Sequence, residues 1–379
     1  MSPAGAVLRA LIARHGPVGF DVLMDTALYH PVHGFYASGG RAGRRGDFLT
    51  SPEVGPLFGA VLASALDEWW REVGNPAVFV VVEAGAGPGT LARAVLQARP
   101  ACSHALRYVL VETSAAQRAM HGTGLPIEDA ASAFASITVF DDDEPRVELP
   151  DGPIVVSLPH LPKVPGPCLV VANELLDNLP VALAERAASG WHEIRVGIAE
   201  EELVEVRVPL RGEDTALLDR LAPDAEPGAR VPLQRAAAGW VSEALRLAGP
   251  DGHVVAIDYA TTTADLATRP QGDWLRTYRS HARGTHPLDD LGSQDITCEV
   301  AVDQLGVTPI ANRSQVEWLR AHGIDLLVEE GRRSWEERAH LGDLEAVRAR
   351  SRITEADALV DPAGLGAFRV LEWSPTPRS

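Results

Sequence analysis

The sequence predicts an α/β protein organised around a Rossmann-like strand, turn and helix. The first observation is the stretch from Val78 to Leu96, where five apolar residues lead into Glu83, three glycines and a run of helix formers. The second is another strand-like run, Leu106–Val111, which ends at Glu112. The third is a series of further short apolar runs between turn signals, which is typical of parallel strands covered on both faces: 153–157, 167–172 and 253–257.

The glycine turn predicts a nucleotide-like ligand. A buried strand that turns at once into a helix points backbone N–H groups and the positive end of the helix dipole at whatever lies over the turn. Gly85, Gly87 and Gly89 are spaced G-x-G-x-G, and Thr90 stands where a dinucleotide fingerprint has its third glycine. Together with Glu83 at the strand end, this spacing favours S-adenosylmethionine over NAD or FAD, because an adenosyl sulfonium has no pyrophosphate. The alternative is a turn that packs a helix on the sheet and binds nothing.

Glu112 is the candidate ribose ligand. It follows the second strand and lies twenty-three residues after Gly89, near the spacing at which an acidic side chain accepts hydrogen bonds from ribose hydroxyls. The alternative is a solvated strand end. A third acidic position follows Ile137–Phe140, where Asp141 begins a run of three aspartates. This run is either the third strand of the sheet, with Asp141 near the adenine, or a solvated acidic loop.

Composition limits the function classes. The chain of 379 residues has 34 basic and 52 acidic residues, a net charge of −18, which argues against binding nucleic acid or an anionic membrane through its overall field. Cys102, Cys168 and Cys298 lie far apart and form no metal-ligand spacing, so we expect no metal and a reducing, cytoplasmic compartment. No apolar run approaches eighteen residues, so we expect no membrane insertion.

The chain length suits two domains or one α/β domain with large additions. We expect an N-terminal helical and glycine-rich cap over residues 1–75, a Rossmann-like core over 76–260 and a C-terminal part over 261–379 that completes the sheet. Alternating residues at 190–210 predict a β-hairpin inserted in the core. Thr50 to Glu53 has the capping-box pattern before a long amphipathic helix. In the C-terminal part, helices are expected around 299–305, 313–322 and 333–349.

A second polar cluster follows the buried run that ends at Ala172. Asn173 is its first polar group, and Glu174 and Asp177 lie three residues apart, on one face if a helix has begun. Methyl transfer from a sulfonium is an in-line displacement, so the enzyme mainly aligns the two reactants. Carboxylates there suit a guanidinium acceptor, because arginine is not deprotonated in water and needs help to lose its proton. The alternative is that Asp177 and Asn178 cap the next helix.

These motifs, in this order, resemble the MidA family of class I S-adenosylmethionine-dependent methyltransferases, which is related to the mitochondrial complex I assembly arginine methyltransferase. The likeness runs from Tyr29 to Thr297 and rests on Y-H-P-x-x-G-F-Y, G-D-F-L-T-S-P-E, E-A-G-A-G-P-G-T-L, N-E-L-L-D-N-L-P-V, I-D-Y and Y-R-S-H-A-R-G-T-H-P-L-D-D-L-G-S-Q-D-I-T. It implies a seven-stranded methyltransferase sheet and S-adenosyl-L-methionine as the cofactor. The implied cofactor residues are Gly46, Asp47, Thr50 and Ser51 near the cofactor, Glu83, Gly85, Gly87 and Gly89 around its methionine end, and Glu112 on the ribose.

The sequence also departs from the family. A basic residue is usual where Pro88 stands, an aromatic pair where Leu175 and Leu176 stand, and glycine where Ala260 stands. The changes near residue 175 fall where the substrate is expected. His281 and His286, with Asp295, lie in the last matching segment, where each histidine is either catalytic or a structural hydrogen-bonding group.

The residues and the resemblance together predict a methyltransferase whose acceptor is the guanidinium of an arginine in a protein or peptide, with Asn173, Glu174 and Asp177 as catalytic candidates. One alternative is a small-molecule methyltransferase with residues 38–47 as a lid. Another is a non-catalytic assembly factor that binds S-adenosylmethionine. A nicotinamide oxidoreductase is disfavoured by the glycine spacing. The sequence gives neither the oligomeric state nor the degree of methylation.

Overall fold

The computed structural model describes residues 2–37, 50–133, 137–141, 144–148, 150–164, 166–279 and 282–374. Three predicted functional residues, Gly46, Asp47 and His281, lie outside the described residues, as does the predicted lid at 38–47. The side chain of Asp141 also lies outside the described part.

The helices within these ranges begin with one N-terminal pair and end with three C-terminal helices. The α-helices are α1 Pro3–His15, α2 Phe20–Tyr29, α3 Ser51–Val54, α4 Pro56–Glu72, α5 Thr90–Ala98, α6 Ala115–Arg118, α7 Ala130–Ala133, α8 Gly212–Leu221, α9 Arg235–Ala248, α10 Thr263–Ala267, α11 Gln271–Trp274, α12 Gln315–Ala321, α13 Ile324–Arg338 and α14 Leu344–Leu359. Short 3₁₀ turns cover Ala101–Ala105, Leu176–Asn178, Val302–Gln304, Ala339–Leu341 and Leu365–Ala367.

The strands are β1 Val18–Gly19, β2 Phe79–Ala84, β3 Leu106–Val111, β4 Ile127–Glu128, β5 Ile137–Asp141, β6 Glu144–Glu148, β7 Ile154–Leu158, β8 Leu169–Asn173, β9 Ala182–Ala187, β10 Gly190–Ala199, β11 Glu202–Pro209, β12 Arg230–Leu233, β13 His253–Asp258, β14 Ala260–Thr261, β15 Leu275–Arg279, β16 Ala282–Arg283, β17 Asp295–Cys298, β18 Val300–Ala301, β19 Ala311–Ser314 and β20 Arg369–Trp373.

The chain divides into two compact units, each made of three segments. The sheet unit comprises Thr50–Asn173, Leu245–Ile257 and Ile310–Ser379, and the accessory unit comprises Met1–Leu49, Glu174–Ala244 and Asp258–Pro309. This division differs from the three consecutive regions that the sequence predicted. The chain leaves the sheet unit after β8, returns for β13, leaves again and returns for β19, and no local signal in the sequence marks these returns.

The sheet unit is built on an eight-stranded sheet in the order β19-β20-β13-β8-β2-β3-β7-β4. The pairs from β13 to β4 are parallel, and β19 is antiparallel to β20. Every residue of β2 and β3 is buried, as expected for central strands covered on both faces. The predicted seven-stranded sheet is thus present with one addition, the two-residue edge strand β4.

The helix predicted after residue 50 is interrupted. Thr50 is the N-cap of α3, but its side chain makes no capping hydrogen bond, so the predicted capping box is wrong. Gly55 then separates α3 from α4. The helix α4 packs against α5 so closely that a Cβ on Gly59 would lie 2.3 Å from the Cβ of Ala94. Glycine at position 59 therefore sets the distance between the two helices.

The prediction that the run before Asp141 is the third strand of the large sheet is wrong. The run forms β5, but β5 pairs antiparallel with β6 in a separate two-stranded sheet, with Asp141 opposite Glu144. It is therefore not a strand of the large sheet, and Asp142 and Asp143, the rest of the predicted acidic loop, lie outside the described residues. The strand beside β3 is instead β7, and β4 lies beyond it.

The accessory unit contains a five-stranded antiparallel sheet in the order β1-β10-β9-β12, with β11 paired to β10. The predicted hairpin at 190–210 is confirmed as β10 and β11, joined at Glu200 and Glu201, both with positive φ. Its core includes Leu8 of α1 and Leu23 of α2.

Two C-terminal helix predictions need correction. The residues near 299–305 form β18 and a 3₁₀ turn, and the helix expected at 333–349 is divided between α13 and α14. The helix expected at 313–322 is confirmed as α12. In the described part of the chain, no helix is long and apolar enough to cross a membrane.

Candidate functional site

The glycine turn after β2 has the conformation that its sequence predicts. Gly85, Gly87 and Gly89 have φ values of 69°, 52° and 78°, in the left-handed region that glycine enters without steric cost. The amide of Ala86 donates to the carbonyl of Val111 at 3.1 Å, which joins the turn to the end of β3. A Cβ added to Gly87 would meet no atom within 4 Å. The backbone of Gly87 is therefore open to close approach by a ligand.

Glu112 lies directly beside this turn. Its Oε2 accepts from the amide of Gly87 at 3.0 Å, and its Oε1 accepts from the amide of Ser114 at 2.7 Å. Burial raises the pKa of Glu112, and the two amides act in the opposite direction. Each carboxylate oxygen has two acceptor positions, so each can accept a second hydrogen bond. Glu112 thus fits the predicted role of receiving ribose hydroxyls.

Glu83 lies inside the sheet unit and not on its surface. The side chain is 4% exposed, and its Oε2 accepts from the hydroxyl of Tyr108 at 2.7 Å. Burial raises the pKa of Glu83 to about 7, although the Tyr108 hydroxyl and the amide of Ala92 in α5 favour the charged form. Its carboxyl group therefore connects β2, β3 and the first turn of α5, and its direct contact with a cofactor stays a prediction.

The residues predicted near the cofactor at 50–53 are held by bonds within the sheet unit. Ser51 is fully buried, and its hydroxyl donates to Oε1 of Gln315 at 2.9 Å. Thr50 is also buried. Glu53 Oε1 accepts from the hydroxyl of Thr90 at 2.7 Å, which links α3 to the start of α5. A cofactor role for Thr50 and Ser51 stays a prediction.

The missing basic residue at position 88 has a counterpart in α5. Arg93 donates from Nη1 to the carbonyl of Pro88 at 2.7 Å and from Nη2 to the hydroxyl of Thr90 at 3.0 Å. A guanidinium therefore still bonds to the turn, although it comes from the helix that follows.

The accessory unit contains a cluster of buried carboxylates, which we call the acidic cluster: Asp177, Asp258 and Asp295, each less than 5% exposed. Asp258, the last residue of β13, organises the 3₁₀ turn at Leu176–Asn178. Its Oδ2 accepts from the amides of Leu176 at 2.9 Å and Asp177 at 3.2 Å. The pKa of Asp258 is raised to about 8, chiefly by burial and also by the nearby carboxylate of Glu174.

Asp177 has unused hydrogen-bonding capacity inside the acidic cluster. Its side chain is 4% exposed, and its Oδ1 has no hydrogen-bond partner among the described residues. Burial raises the pKa of Asp177 well above its usual range, and Asp258 and Asp295 add to the effect. A buried carboxylate oxygen without a donor is costly. This oxygen is therefore suited to a proton or to a cationic ligand.

Glu174 combines a predicted catalytic role with backbone strain. Asn173, the last residue of β8, lies at the same edge of the large sheet as the glycine turn, because β8 and β2 are parallel neighbours. Glu174 is the next residue in the chain and has a φ of 50°. A non-glycine residue in this region is strained by about 1–2 kcal/mol, and such strain is concentrated at functional sites.

The third carboxylate of the acidic cluster, Asp295, accepts a hydrogen bond from the Y-H-P-x-x-G-F-Y motif at residues 29–36. Its Oδ1 accepts from the hydroxyl of Tyr36 at 3.1 Å and from Nδ2 of Asn178 at 3.2 Å. Tyr29 stacks on Tyr36 with 5.6 Å between ring centroids and donates to the carbonyl of Asn178 at 3.0 Å.

The alternative that Asp177 and Asn178 cap a following helix is wrong, because the next element after their 3₁₀ turn is the strand β9.

Sequence reasoning missed Asp258 and Tyr36 as members of this region, and it connected Asp295 only with histidines. The strand-end I-D-Y pattern was the available signal for Asp258.

His286 is exposed, and its Nδ1 accepts from the amide of Leu288 at 3.3 Å, so it has a structural use. No group of three or more metal-ligating side chains that could hold a metal ion is present in the described residues.

The arrangement of the sheet unit fits an adenosyl cofactor. Open space over Gly87, free acceptor positions on Glu112 and a turn at the carboxyl end of parallel strands are what an adenosine with a short charged tail requires. A glycine turn at the carboxyl end of a parallel sheet defines the class of protein as an S-adenosylmethionine-dependent methyltransferase.

Comparisons with known proteins agree with this class. Residues 61–319 match a family of S-adenosyl-L-methionine-dependent methyltransferases, Methyltransf_28, and the chain belongs to this MidA-like family. The crystal structure of a COG1565 superfamily member from Burkholderia thailandensis bound to S-adenosyl-homocysteine is similar, with a TM-score of 0.76 and 28% sequence identity. The superposition covers 98% of this chain and 91% of that one.

Two curated relatives are named arginine methyltransferases. The protein arginine methyltransferase NDUFAF7, mitochondrial, of Danio rerio is 27% identical over 336 residues, which cover 84% of this chain and 76% of that protein. The mitochondrial NDUFAF7 homolog of Drosophila melanogaster is 32% identical over 206 residues, which cover 52% of this chain. That match spans 45% of the fly protein, less than half of its length.

Proposed function

We propose that this methyltransferase transfers a methyl group to the guanidinium of an arginine in a protein or peptide. The observation that carries the proposal is Asp177, a buried carboxylate whose Oδ1 has no partner among the described residues and which lies among other carboxylates. A guanidinium is the side-chain cation that best matches such a group, because it is planar and donates several hydrogen bonds in fixed directions.

A second observation supports a guanidinium. The ring of Tyr259 lies under the guanidinium of Arg276, with 5.7 Å between Cζ and the ring centroid. Burial raises the pKa of Tyr259, and the carboxylate of Glu174 adds to it. The accessory unit therefore already places one guanidinium on an aromatic face near Glu174, a favourable arrangement for such a cation. The names of the curated relatives support the same acceptor.

The chemistry follows from these residues. S-adenosylmethionine supplies, when bound, a methyl group on a positively charged sulfur. The transfer breaks the bond from that carbon to sulfur, forms one to a guanidinium nitrogen and releases one proton. Glu174 and Asp177 orient the guanidinium, and one of these carboxylates accepts the proton. The burial of Asp177 strengthens its attraction to the guanidinium, because opposite charges attract more strongly away from water.

The alternatives predict different acceptors. A small-molecule enzyme would methylate free arginine or an unrelated metabolite in preference to a peptide, and an assembly factor would bind the cofactor without turnover. We propose a protein or peptide as the substrate and the cytoplasm as the location of the enzyme. The proposed location rests on the three cysteines, which are buried and free.

The experiment uses S-adenosylmethionine labelled on the methyl group and two matched peptide libraries. One library has a single central arginine, and its twin has lysine in the same place, with free L-arginine as a third acceptor. We expect label in the arginine library only, and fragmentation in the mass spectrometer should place it on the arginine. Transfer to lysine or to free arginine alone would overturn the proposal. Binding of S-adenosylhomocysteine without transfer to any acceptor would favour the assembly factor.

A further inference from the structure

His121 makes two hydrogen bonds beside the glycine turn that no motif predicted. It follows α6 in a turn and is 1% exposed. Its Nε2 lies 2.8 Å from the carbonyl oxygen of Gly87, and its Nδ1 lies 2.8 Å from the hydroxyl of Ser157 in β7. The ring therefore spans from the turn to a strand of the large sheet.

The chemistry of the partners fixes the proton on this ring. A carbonyl oxygen can only accept, so Nε2 must carry the hydrogen, and in the neutral ring Nδ1 then accepts from the Ser157 hydroxyl. The pKa of His121 is lowered, chiefly by burial and also by the neighbouring Arg93 and Arg118, although the hydrogen bond to the Gly87 carbonyl acts in the opposite direction. The ring is therefore neutral at pH 7 and has one defined tautomer.

Together with Glu112, His121 holds both polar groups of one peptide residue. The amide of Gly87 donates to Glu112, and its carbonyl accepts from His121. Gly87 needs such constraints, because glycine has the greatest backbone freedom and its φ here is 52°. A turn that is fixed before binding does not lose this freedom when a ligand arrives.

We propose that His121 is a positioning residue for the cofactor: it fixes the carbonyl of Gly87 and so preorganises the surface that S-adenosylmethionine contacts. The residue acts through Gly87 and touches neither the methyl group nor its acceptor. Loss of this hydrogen bond should lower the affinity for the cofactor. That affinity is measured by binding, so the test does not depend on the identity of the methyl acceptor.

The test compares two amides that imitate different ring nitrogens. In His121→Gln the side-chain amide reaches the position of Nε2 and can still donate to Gly87. In His121→Asn it reaches only the position of Nδ1, toward Ser157. Calorimetric titration with S-adenosylhomocysteine should give a dissociation constant within about threefold of wild type for glutamine and at least tenfold weaker for asparagine and for His121→Leu.

A matched control is His253→Leu. His253 is another buried histidine of the sheet unit, in β13, with Nε2 3.6 Å from Glu372. It should lower the melting temperature without changing S-adenosylhomocysteine affinity. The proposal fails if His121→Leu binds as wild type, if glutamine loses as much affinity as leucine, or if His253→Leu loses as much as His121→Leu.

A second measurement needs no substitution. The ¹⁵N shifts of the His121 ring at pH 7 should show a neutral imidazole with hydrogen on Nε2 in the free protein. Hydrogen on Nδ1 with none on Nε2 would mean that the bond to Gly87 is not made and would overturn the proposal. This result stands even if the variants do not fold.

Discussion

The glycine turn and the acidic cluster use carboxylates in opposite ways. Beside the turn, both oxygens of Glu112 receive backbone amides. In the acidic cluster, Asp177 faces other carboxylates, and its Oδ1 receives no donor among the described residues. The first region is satisfied without a ligand and offers a fixed surface. The second has unsatisfied charge, which a cation or a proton must neutralise.

The two regions should therefore fail differently when they are changed. A substitution at the turn should abolish cofactor binding, whereas one in the acidic cluster should reduce turnover and leave binding intact.

The largest effect is expected for Gly87→Val. The added Cβ projects into the open space over the turn, and a β-branched residue is strained at a φ of 52°. S-adenosylhomocysteine affinity should fall at least about 100-fold, measured by calorimetry, while circular dichroism shows a folded protein. Gly74→Val is the control, because Gly74 has a φ of 87° and equally open space. Unchanged affinity in Gly87→Val would remove the turn from the cofactor site.

Glu174→Gln should suppress turnover by about 100-fold or more and change S-adenosylhomocysteine affinity less than threefold, because its carboxylate orients the acceptor and not the cofactor. Initial rates and calorimetry measure the two quantities. Asp214→Asn is the matched control: Asp214 is a buried carboxylate of the same unit, paired with Arg211 and Arg235. Wild-type turnover in Glu174→Gln would exclude Glu174 from the chemistry.

The pH dependence of stability should separate the buried acids of the two regions. The pKa is raised to about 8 for Asp258 and to about 7 for Glu83 by burial. Above the unfolded pKa near 4, the folded state keeps protons that the unfolded state has lost, so the free energy of unfolding falls as pH rises. The slope is up to about 1.4 kcal/mol per pH unit for one proton and ends near the folded pKa.

Urea unfolding between pH 5 and pH 8 measures this slope. Asp258→Asn should flatten it over the whole range, and Glu83→Gln should flatten it only up to about pH 7. The slope is the quantity to compare, because either variant also loses a hydrogen bond and shifts the whole curve. Variants with the wild-type slope would show that these acids are charged in the folded protein.

The smallest effect is expected for Ser51→Ala. Its hydroxyl donates to Gln315, so the free energy of unfolding should fall by about 1 kcal/mol. If this bond is its only use, the affinity for S-adenosylhomocysteine should stay unchanged. Thermal unfolding and calorimetry measure the two. Ser64→Ala, which removes a hydroxyl bonded to a carbonyl within α4, is the control. A clear loss of affinity in Ser51→Ala alone would assign the hydroxyl to the cofactor, as the sequence predicted.

The sequence predicted the glycine turn well because its signals are local. A valine-rich run, three glycines and an acid at a fixed spacing all lie within about 35 residues, from Val78 to Glu112. The acidic cluster was predicted only in part. Asp177, Asp258 and Asp295 are brought together by strand ends far apart in the chain, and no spacing rule connects them.

The errors have similar physical causes. A short apolar run before acids fits a sheet strand and a hairpin arm equally, so the place of β5 could not be settled by pattern. His121 was missed because a single histidine after a short helix carries no pattern at all. The hairpin at β10 and β11 was predicted because alternation extends through both strands.

The strand order has a consequence for synthesis. The strand β20, Arg369–Trp373, lies between β13 and β19 in the sheet. During synthesis, β20 leaves the ribosome about 110 residues after β13, so β13 is made long before the strand that pairs with it. Until then, β13 presents an open edge that can pair with another chain. A nascent chain stalled or cut before residue 369 therefore exposes β13, which is an interior strand of the complete sheet. Such a chain is a natural target for chaperones and for aggregation.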